Sequence, residues 1–273
     1  MSATTANVGF IGPGQMGMPM VRRMTTAGIR LKVCARRPEV IAEIQSLGVE
    51  VVPTVRDAVE GVDLVIACLF SDVQLADIMV NEKALGAMEP GSIFVSHVTG
   101  SPDLIEKLVA IVPQSVTVVD APVSGTAEQI AEGKLTVMLG CPPQLVAPIS
   151  AVIGSYANPI VHIGKRGDAL KVKLINNLLF TANLILAGET QRLGDALGID
   201  RQLLTDALAN CSGATRAVSI IGAKDFSLME STARPFLEKD VSVVNAIANE
   251  LGINLGQLGA LTAGYNHSSE VIS

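Results

Sequence analysis

Apolar residues recur with two different periods along the chain, and the change falls near residue 164. From residue 7 to about residue 163, short β-branched runs alternate with longer segments of helical period. Such alternation is typical of βαβ units on a mostly parallel sheet with right-handed crossovers. The predicted strands begin at Val8, Leu31, Val49, Asp63, Ser92, Ser115, Leu135 and Pro159.

The pattern changes after the Gly- and charge-rich turn at residues 164–167. Apolar residues at spacings of three and four predict one long helix over residues 168–197. Shorter helices are predicted over residues 201–210, 214–221, 239–251 and 255–263, with no strand among them. We therefore expect an α/β domain over residues 1–164 and an all-helical domain over residues 165–273, sharing a cleft.

Composition narrows the class of protein. The 273 residues are 49% hydrophobic and 17% charged, which is typical of a globular chain. A net charge of −6 without basic clusters argues against a nucleic-acid surface. The four scattered cysteines form no CxxC pair, so we expect no metal site and a reducing cytoplasm. Residues 174–188 contain three asparagines and predict a buried helix, with no membrane span.

A glycine motif follows the first predicted strand. Gly12, Gly14 and Gly17 form GxGxxG, and a helix is predicted to begin near Gln15. This placement is typical of the Rossmann-type dinucleotide fold, in which the glycines allow a tight turn and a close approach to pyrophosphate. We therefore predict that the N-terminal domain binds a dinucleotide.

The residues after the second strand indicate which dinucleotide. NAD-binding proteins place an acid there for the ribose diol, whereas this chain has Arg36 and Arg37. Two guanidinium groups suit the extra 2′-phosphate of NADP(H), so we predict that cofactor. A solvated arginine pair remains the alternative.

The long helix offers one polar stripe. Lys173, Asn177 and Thr181 are four residues apart and share one face, while Lys171 stands on another face without polar neighbours. A lysine facing the cleft could donate a proton during carbonyl reduction and accept it during oxidation, with its pKa lowered by desolvation or by Lys239. The stripe alone does not distinguish this role from that of a snorkelling surface lysine.

Four stretches together resemble the β-hydroxyacid dehydrogenase family, which includes 3-hydroxyisobutyrate dehydrogenase and the glyoxylate and tartronate semialdehyde reductases. They are GFIGPGQMGMPM from Gly9, DAPVSG from Asp120, GKRGDALKVKLINN from Gly164 and EKDVSVV from Glu238. The four motifs occur in the family's order and span most of the chain. The resemblance implies the two-domain build, a small carboxylate substrate, and a homodimer or homotetramer assembled through the helical domain.

Roles for individual residues follow from this resemblance. It implies that Lys173 is the catalytic acid/base and that Asn177 orients the substrate. The implied substrate-binding residues are Ser124, Gly125, Thr126, Asn177 and Lys239. Together with the glycine loop and the arginine pair, it gives the predicted cofactor-binding residues Gly12, Gly14, Gln15, Met16, Gly17, Arg36, Arg37, Leu69, Phe70, Thr99 and Lys239. Ser124 as a helix cap and Lys239–Asp240 as a helix-start charge pair remain alternatives.

The chain also departs from the family pattern. Thr126 and Gln129 stand where glycines are usual in the substrate loop, and Ala169 replaces another glycine before the lysine. We therefore expect a narrower or differently polar substrate pocket.

The favoured hypothesis is an NADP(H)-dependent oxidoreductase that interconverts a small β-hydroxy acid and its semialdehyde or keto acid. An imine reductase is an alternative, although those enzymes usually carry Asp or Tyr at the position of Lys173. A non-catalytic NADP(H)-binding module is the other alternative.

Overall fold

Two units make up the chain, Met1–Lys173 and Leu174–Ser273. The structure is a computed structural model that describes residues 6–77, 84–222 and 224–266.

A nine-stranded sheet organises the described part of the first unit, in the order β3-β2-β1-β4-β5-β6-β8-β7, with β9 paired to β8. Strands β1 to β6 run parallel, β8 is antiparallel to β6 and β7, and β9 is parallel to β8. The predicted, mostly parallel Rossmann-type sheet is therefore confirmed. The strands are β1 (Asn7–Ile11), β2 (Arg30–Cys34), β3 (Glu50–Val52), β4 (Leu64–Ala67), β5 (Ile93–Ser96), β6 (Thr117–Asp120), β7 (Val123–Ser124), β8 (Leu135–Gly140) and β9 (Ala157–Gly164).

The parallel strands β1, β4, β5 and β6 are buried along nearly their whole length because both faces of the sheet are covered there. Along β4, Leu64 and Ile66 belong to one hydrophobic cluster, while Val65 and Ala67 belong to another. Alternating side chains of one strand thus enter two different cores, one on each face.

Helices account for the remaining regular structure. The sequence predicted the bounds of five helices, and four of these agree with the structure to within two residues at each end. They are α1 (Gly17–Thr26), α2 (Pro38–Ser46), α3 (Val55–Val59), α4 (Asp72–Ala76), α5 (Pro102–Ile111), α6 (Ala127–Ala131), α7 (Pro143–Ile153), α8 (Asp168–Ala196), α9 (Arg201–Ala209), α10 (Arg216–Ile221), α11 (Phe226–Leu251) and α12 (Gly256–Thr262).

Helix α11 is where the prediction was wrong. It begins at Phe226, although the sequence pattern predicted a start at Lys239. Pro235 lies inside the helix and interrupts the pattern from which the start was read. Lys239 is consequently a mid-helix residue and not part of a helix-start charge pair.

Helix α8 supplies apolar side chains to the core of the second unit. Leu178 and Leu184 pack with Ile221 of α10 and Val241 of α11. By length and composition α8 is also apolar enough to cross a membrane, a property that core helices of soluble proteins share. Core packing accounts for one face of the helix only, because Ile175, Leu179, Leu186 and Leu193 are exposed. The helix predicted to be buried over residues 174–188 is therefore buried in part.

Candidate active site

The loops that follow the parallel strands meet at one edge of the sheet. Strands β1, β2, β4, β5 and β6 are mutually parallel, so their carboxyl ends lie along the same edge. In open α/β sheets ligands bind at this edge, where the strand order reverses. Here the order reverses between β1 and β4.

The glycine loop follows β1 at that reversal. Gly12 has φ +90°, and a Cβ there would clash with the carbonyl oxygen of Cys68. A Cβ at Gly17 would clash with the Gly12 carbonyl, whereas one at Gly14 would meet no protein atom within 4 Å. Packing therefore requires glycine at positions 12 and 17, while Gly14 leaves open space.

Helix α1 begins directly after this loop without a side-chain cap. Its N-cap residue is Met16, whose side chain accepts no hydrogen bond. The backbone N–H groups of a first turn lack helical partners and carry the positive end of the dipole. A loop of this kind, with open space at Gly14, suits a pyrophosphate group.

A cavity of about 400 Å³ lies beside the glycine loop. The residues that line it come from the ends of β1, β2 and β4 and from helices α2, α3 and α4. They include the predicted cofactor residues Gly12, Gly14, Arg36, Arg37 and Leu69. The cavity thus joins the glycine loop to the arginine pair.

Arg36 and Arg37 line this cavity and are exposed. The Arg37 guanidinium is 3.6 Å from the Glu39 carboxylate, and both side chains are more than 60% exposed. Exposed pairs of this kind are weak. The side chains at this position after β2 are therefore cationic, where an acid would bind a ribose diol.

The loops after β4 and β5 are tied together. The Ser101 backbone N–H donates to the Asp72 carboxylate at 2.7 Å, and any side chain at Gly100 would clash with that carboxylate. Half-buried Thr99 is therefore held next to a fixed turn. Phe70 is 50% exposed, and its N–H donates to the Gln74 side chain at 3.0 Å.

A buried histidine that the sequence analysis did not single out supports the same edge. His97 Nδ1 lies 2.5 Å from the Ala121 carbonyl, and Nε2 lies 2.7 Å from the Tyr156 hydroxyl. A carbonyl only accepts, so Nδ1 carries the proton and Nε2 accepts from the phenol. Burial lowers the pKa of His97 to about 4, partly offset by the bond to Ala121. The neutral ring thus links β5, β6 and the residue before β9.

The predicted substrate loop follows β6. Ser124 lies on β7, where it pairs with Thr136 of β8, so it does not cap a helix. Thr126 is the cap: its hydroxyl accepts from Gln129 N, and the Gln129 side chain accepts from Thr126 N. The two residues that replace the family's glycines thus form a capping box that starts α6.

Lys173 lies in the second turn of α8 and is only 9% exposed. This burial excludes the snorkelling surface lysine. Lys171 has an exposed ammonium 3.1 Å from the Asp168 carboxylate, so the expectation that it lacks polar neighbours was wrong. The two lysines therefore have opposite environments, although they are only two residues apart.

The remaining predicted residues form a cluster in the second unit. Asn177 Nδ2 donates to Asp240 Oδ2 at 2.6 Å, and the Lys239 ammonium lies 3.4 Å from Asp240 Oδ1. Thr181 is fully buried, and its hydroxyl donates to the Asn177 carbonyl. Asp240, which the sequence analysis did not name as a site residue, therefore contacts both predicted substrate residues.

Comparison with known proteins identifies the family of the chain. Residues 7–164 match the family described as the NAD binding domain of 6-phosphogluconate dehydrogenase. Residues 167–269 match the family described as the NAD-binding domain of NADP-dependent 3-hydroxyisobutyrate dehydrogenase. The chain thus belongs to the 3-hydroxyisobutyrate dehydrogenase family of NAD(P)-binding oxidoreductases.

Individual relatives cover most of the chain. An uncharacterised oxidoreductase of Mycobacterium tuberculosis is 30% identical over 92% of this chain and 89% of its own length. The L-threonate dehydrogenase of Cupriavidus necator is 30% identical over 76% of this chain and 71% of its own. The fold resembles that of M. tuberculosis 3-hydroxyisobutyrate dehydrogenase with L-serine, with TM-score 0.84 and 23% identity over 97% of this chain and 93% of that one.

Proposed function

We propose that the chain is an NADP(H)-dependent oxidoreductase that interconverts a small β-hydroxy acid and its semialdehyde or keto acid, with Lys173 as the acid/base. The observation that carries this proposal is the burial of Lys173 on a helix that begins at the loop edge where the glycine motif lies. A buried lysine without such a role is uncommon, because removing an ammonium from water is costly.

Proton transfer is the task that the reaction sets for the protein. The nicotinamide, when bound, supplies or accepts the hydride. Adding hydride to a carbonyl leaves an alkoxide, which Lys173 protonates from Nζ; in oxidation the neutral amine accepts the hydroxyl proton. Lys173 is therefore the residue on which turnover depends most.

The proposed cofactor preference rests on Arg36 and Arg37. Both are exposed, both line the cavity beside the glycine loop, and Glu39 engages Arg37 only weakly. A 2′-phosphate provides two or more charge-assisted acceptors for them. Leu69, Phe70 and Thr99 border the nicotinamide half of the cofactor in this proposal, and Lys239 reaches the nicotinamide and the substrate.

The substrate proposal is a short carboxylate. Ser124 and Gly125 bind its carboxyl group, and Thr126 shapes the loop because its hydroxyl is already engaged in the capping box. Asn177 and Lys239 orient the hydroxyl or carbonyl end. A relative that acts on L-threonate and a structural neighbour described with L-serine support a small hydroxy acid.

We further propose a cytoplasmic homodimer or homotetramer, with residues 1–164 binding the cofactor and residues 165–273 serving substrate binding and assembly. The outer face of α8 carries the exposed apolar residues Ile175, Leu179, Leu186 and Leu193. Three of them are spaced by seven residues, as on a helix seam. An exposed apolar face of this kind suits association with a second copy of the chain.

A substrate screen with both cofactors tests the proposal. The purified chain is assayed with NADPH and NADH on glyoxylate, succinic semialdehyde and tartronate semialdehyde, and in reverse on 3-hydroxyisobutyrate, 3-hydroxypropionate and serine. Turnover of at least one acid, faster with the phosphorylated cofactor, is expected. Reduction of cyclic imines alone, or cofactor binding without any turnover, contradicts the proposal.

A further inference from the structure

Asp120, the last residue of β6, has no assigned part in the chemistry but holds the start of α8. Its side chain is fully buried. Oδ1 accepts a hydrogen bond from Gly167 N at 2.7 Å, and Oδ2 accepts one from Leu170 N at 3.0 Å. Both carboxylate oxygens therefore face the first turn of the helix that carries Lys173.

This contact replaces a local helix cap. The first N–H groups of a helix need acceptors, which a Ser, Thr, Asp or Asn at the N-cap usually provides. Here Gly167, with φ +87° and no side chain, precedes α8. The acceptor instead comes from a different strand, 47 residues earlier in the chain.

The burial of this carboxylate is costly. Burial raises the pKa of Asp120, and the N–H bonds from Gly167 and Leu170 act in the opposite direction. Among the described residues, no lysine or arginine forms an ion pair with it. The backbone donors and the helix dipole are thus what keep the group in place.

The neighbouring backbone is arranged around the same carboxylate. Gly140, at the end of β8, is the bridge partner of Asp120, and any side chain at position 140 would clash with both carboxylate oxygens. Cys141 N donates to the Gly164 carbonyl at 2.9 Å, which joins the ends of β8 and β9. Three strand ends therefore converge on the turn where α8 begins.

We propose that Asp120 is a positioning residue for Lys173, fixing the first turn of α8 to the end of β6 so that the ammonium is held where the proton is transferred. This inference rests on the proposed function of Lys173. Lys173 lies three residues beyond Leu170, about one helical turn. Leu170 is itself 1% exposed within a core cluster of the sheet, so the anchored turn has little freedom.

The test separates positioning from binding. Asp120→Ala removes both acceptors, and Asp120→Asn retains one. We expect kcat to fall about 50-fold for Ala and about fivefold for Asn, because small displacements of a catalytic group are costly. The KM of the substrate and the dissociation constant of NADPH stay within about twofold of wild type.

A matched control removes a different tether of the same region. Arg166, just before α8, donates two hydrogen bonds of 3.1 Å to Glu106 on the exposed surface. Glu106→Gln weakens this contact and leaves the buried cap intact. Its kcat is expected to stay within about twofold of wild type, since exposed ion pairs contribute little.

Hydrogen exchange on the wild-type protein tests the contact without relying on the Asp120 variants, which can fold poorly. The amides of Gly167 and Leu170 are expected to exchange at least tenfold more slowly than that of Asp103, a first-turn amide on the exposed side of α5. Equal exchange rates overturn the proposal. So do equal kcat values in all variants, or losses of kcat and cofactor affinity in the same proportion.

The failure of the proposed function gives a different result. If Lys173→Met retains turnover, Lys173 is not the acid/base, and Asp120 then has no catalytic lysine to position. If Lys173→Met is inactive while Asp120→Ala turns over like wild type, only the positioning role is wrong.

Discussion

Polar side chains at the two ends of the sheet's carboxyl edge differ in their exposure to solvent. At the β2 end, Arg36 and Arg37 are exposed, and the Arg37 guanidinium lies 3.6 Å from the Glu39 carboxylate. At the β6 end, Asp120 is fully buried and His97 is 3% exposed, with fixed hydrogen-bond partners at 2.5 to 3.0 Å.

This difference in exposure corresponds to two roles, ligand binding and fixing the geometry of the backbone. In the proposed function the exposed guanidinium groups bind the cofactor phosphate, and exposed ion pairs contribute little to the stability of the fold. A buried polar group must be satisfied by its surroundings and therefore fixes geometry. Substitutions at the two ends should accordingly affect different quantities.

The largest effects are expected in the glycine loop. Two substitutions there, at Gly17 and Gly14, separate an effect on stability from an effect on cofactor binding. Gly17→Ala places a Cβ against the Gly12 carbonyl and is expected to cost about 3 kcal/mol of unfolding free energy. Gly14→Ala meets no protein atom within 4 Å and is expected to change stability by less than about 0.5 kcal/mol. Denaturant titration measures both.

For cofactor affinity we expect the substitution at Gly14 to have a large effect, although its effect on stability is small. Gly14→Ala is expected to weaken cofactor binding at least about tenfold, because the side chain enters the space left for pyrophosphate. If Gly14→Ala binds NADPH like wild type, the cofactor does not approach this loop as proposed.

At the buried end, the contribution of His97 depends on pH. Its pKa is about 4 in the folded chain against an ordinary value of 6.5, so the unfolded chain binds the extra proton between these values. The stabilisation is fully present above pH 6.5 and is lost as the pH falls towards 4. The shift corresponds to about 3 kcal/mol.

His97→Gln provides the comparison, because glutamine can donate to Ala121 and accept from Tyr156 but does not titrate. We expect the free energy of unfolding of wild type to fall by about 3 kcal/mol more than that of the variant between pH 6.5 and 4. Parallel curves for the two proteins would show that His97 is not held neutral by burial.

At the exposed end we expect the smallest effect, a change in the preference for NADPH over NADH. Arg36→Ala or Arg37→Ala is expected to weaken NADPH binding about tenfold, the loss of one charge-assisted contact, and to leave NADH binding and stability unchanged. Arg30→Ala, an exposed arginine that does not line the cavity, is the control. Equal losses of affinity for NADPH and NADH would show that the arginines do not contact a 2′-phosphate.

The sheet was largely predictable because strands such as β1, β4, β5 and β6 are buried along nearly their whole length and consist mainly of apolar residues. β7 was missed: two residues carry no periodicity, and only pairing with β8 makes them a strand. The start of α11 was missed because Pro235 interrupts the apolar pattern of the sequence. The helix nevertheless continues through this proline.

Within the site, residues could be predicted where a local motif carries them. The glycine loop and the arginine pair are read from short spacings, and both line one cavity. The partners of Asp120, His97 and Asn177 lie 24 to 63 residues away, so no local pattern indicates them. Thr126 shows the reverse case, since its spacing to Gln129 signals a capping box that the family comparison obscured.

Single-turnover kinetics give the sharpest test of proton transfer by Lys173. Protein saturated with reduced cofactor is mixed with a semialdehyde substrate, and the loss of nicotinamide absorbance gives the rate of reduction. Lys173→Met is expected to lower this rate about 1,000-fold with NADPH affinity within about twofold of wild type, whereas Lys171→Met reacts like wild type. A Lys173→Met protein that reduces the substrate within about threefold of the wild-type rate would contradict the account.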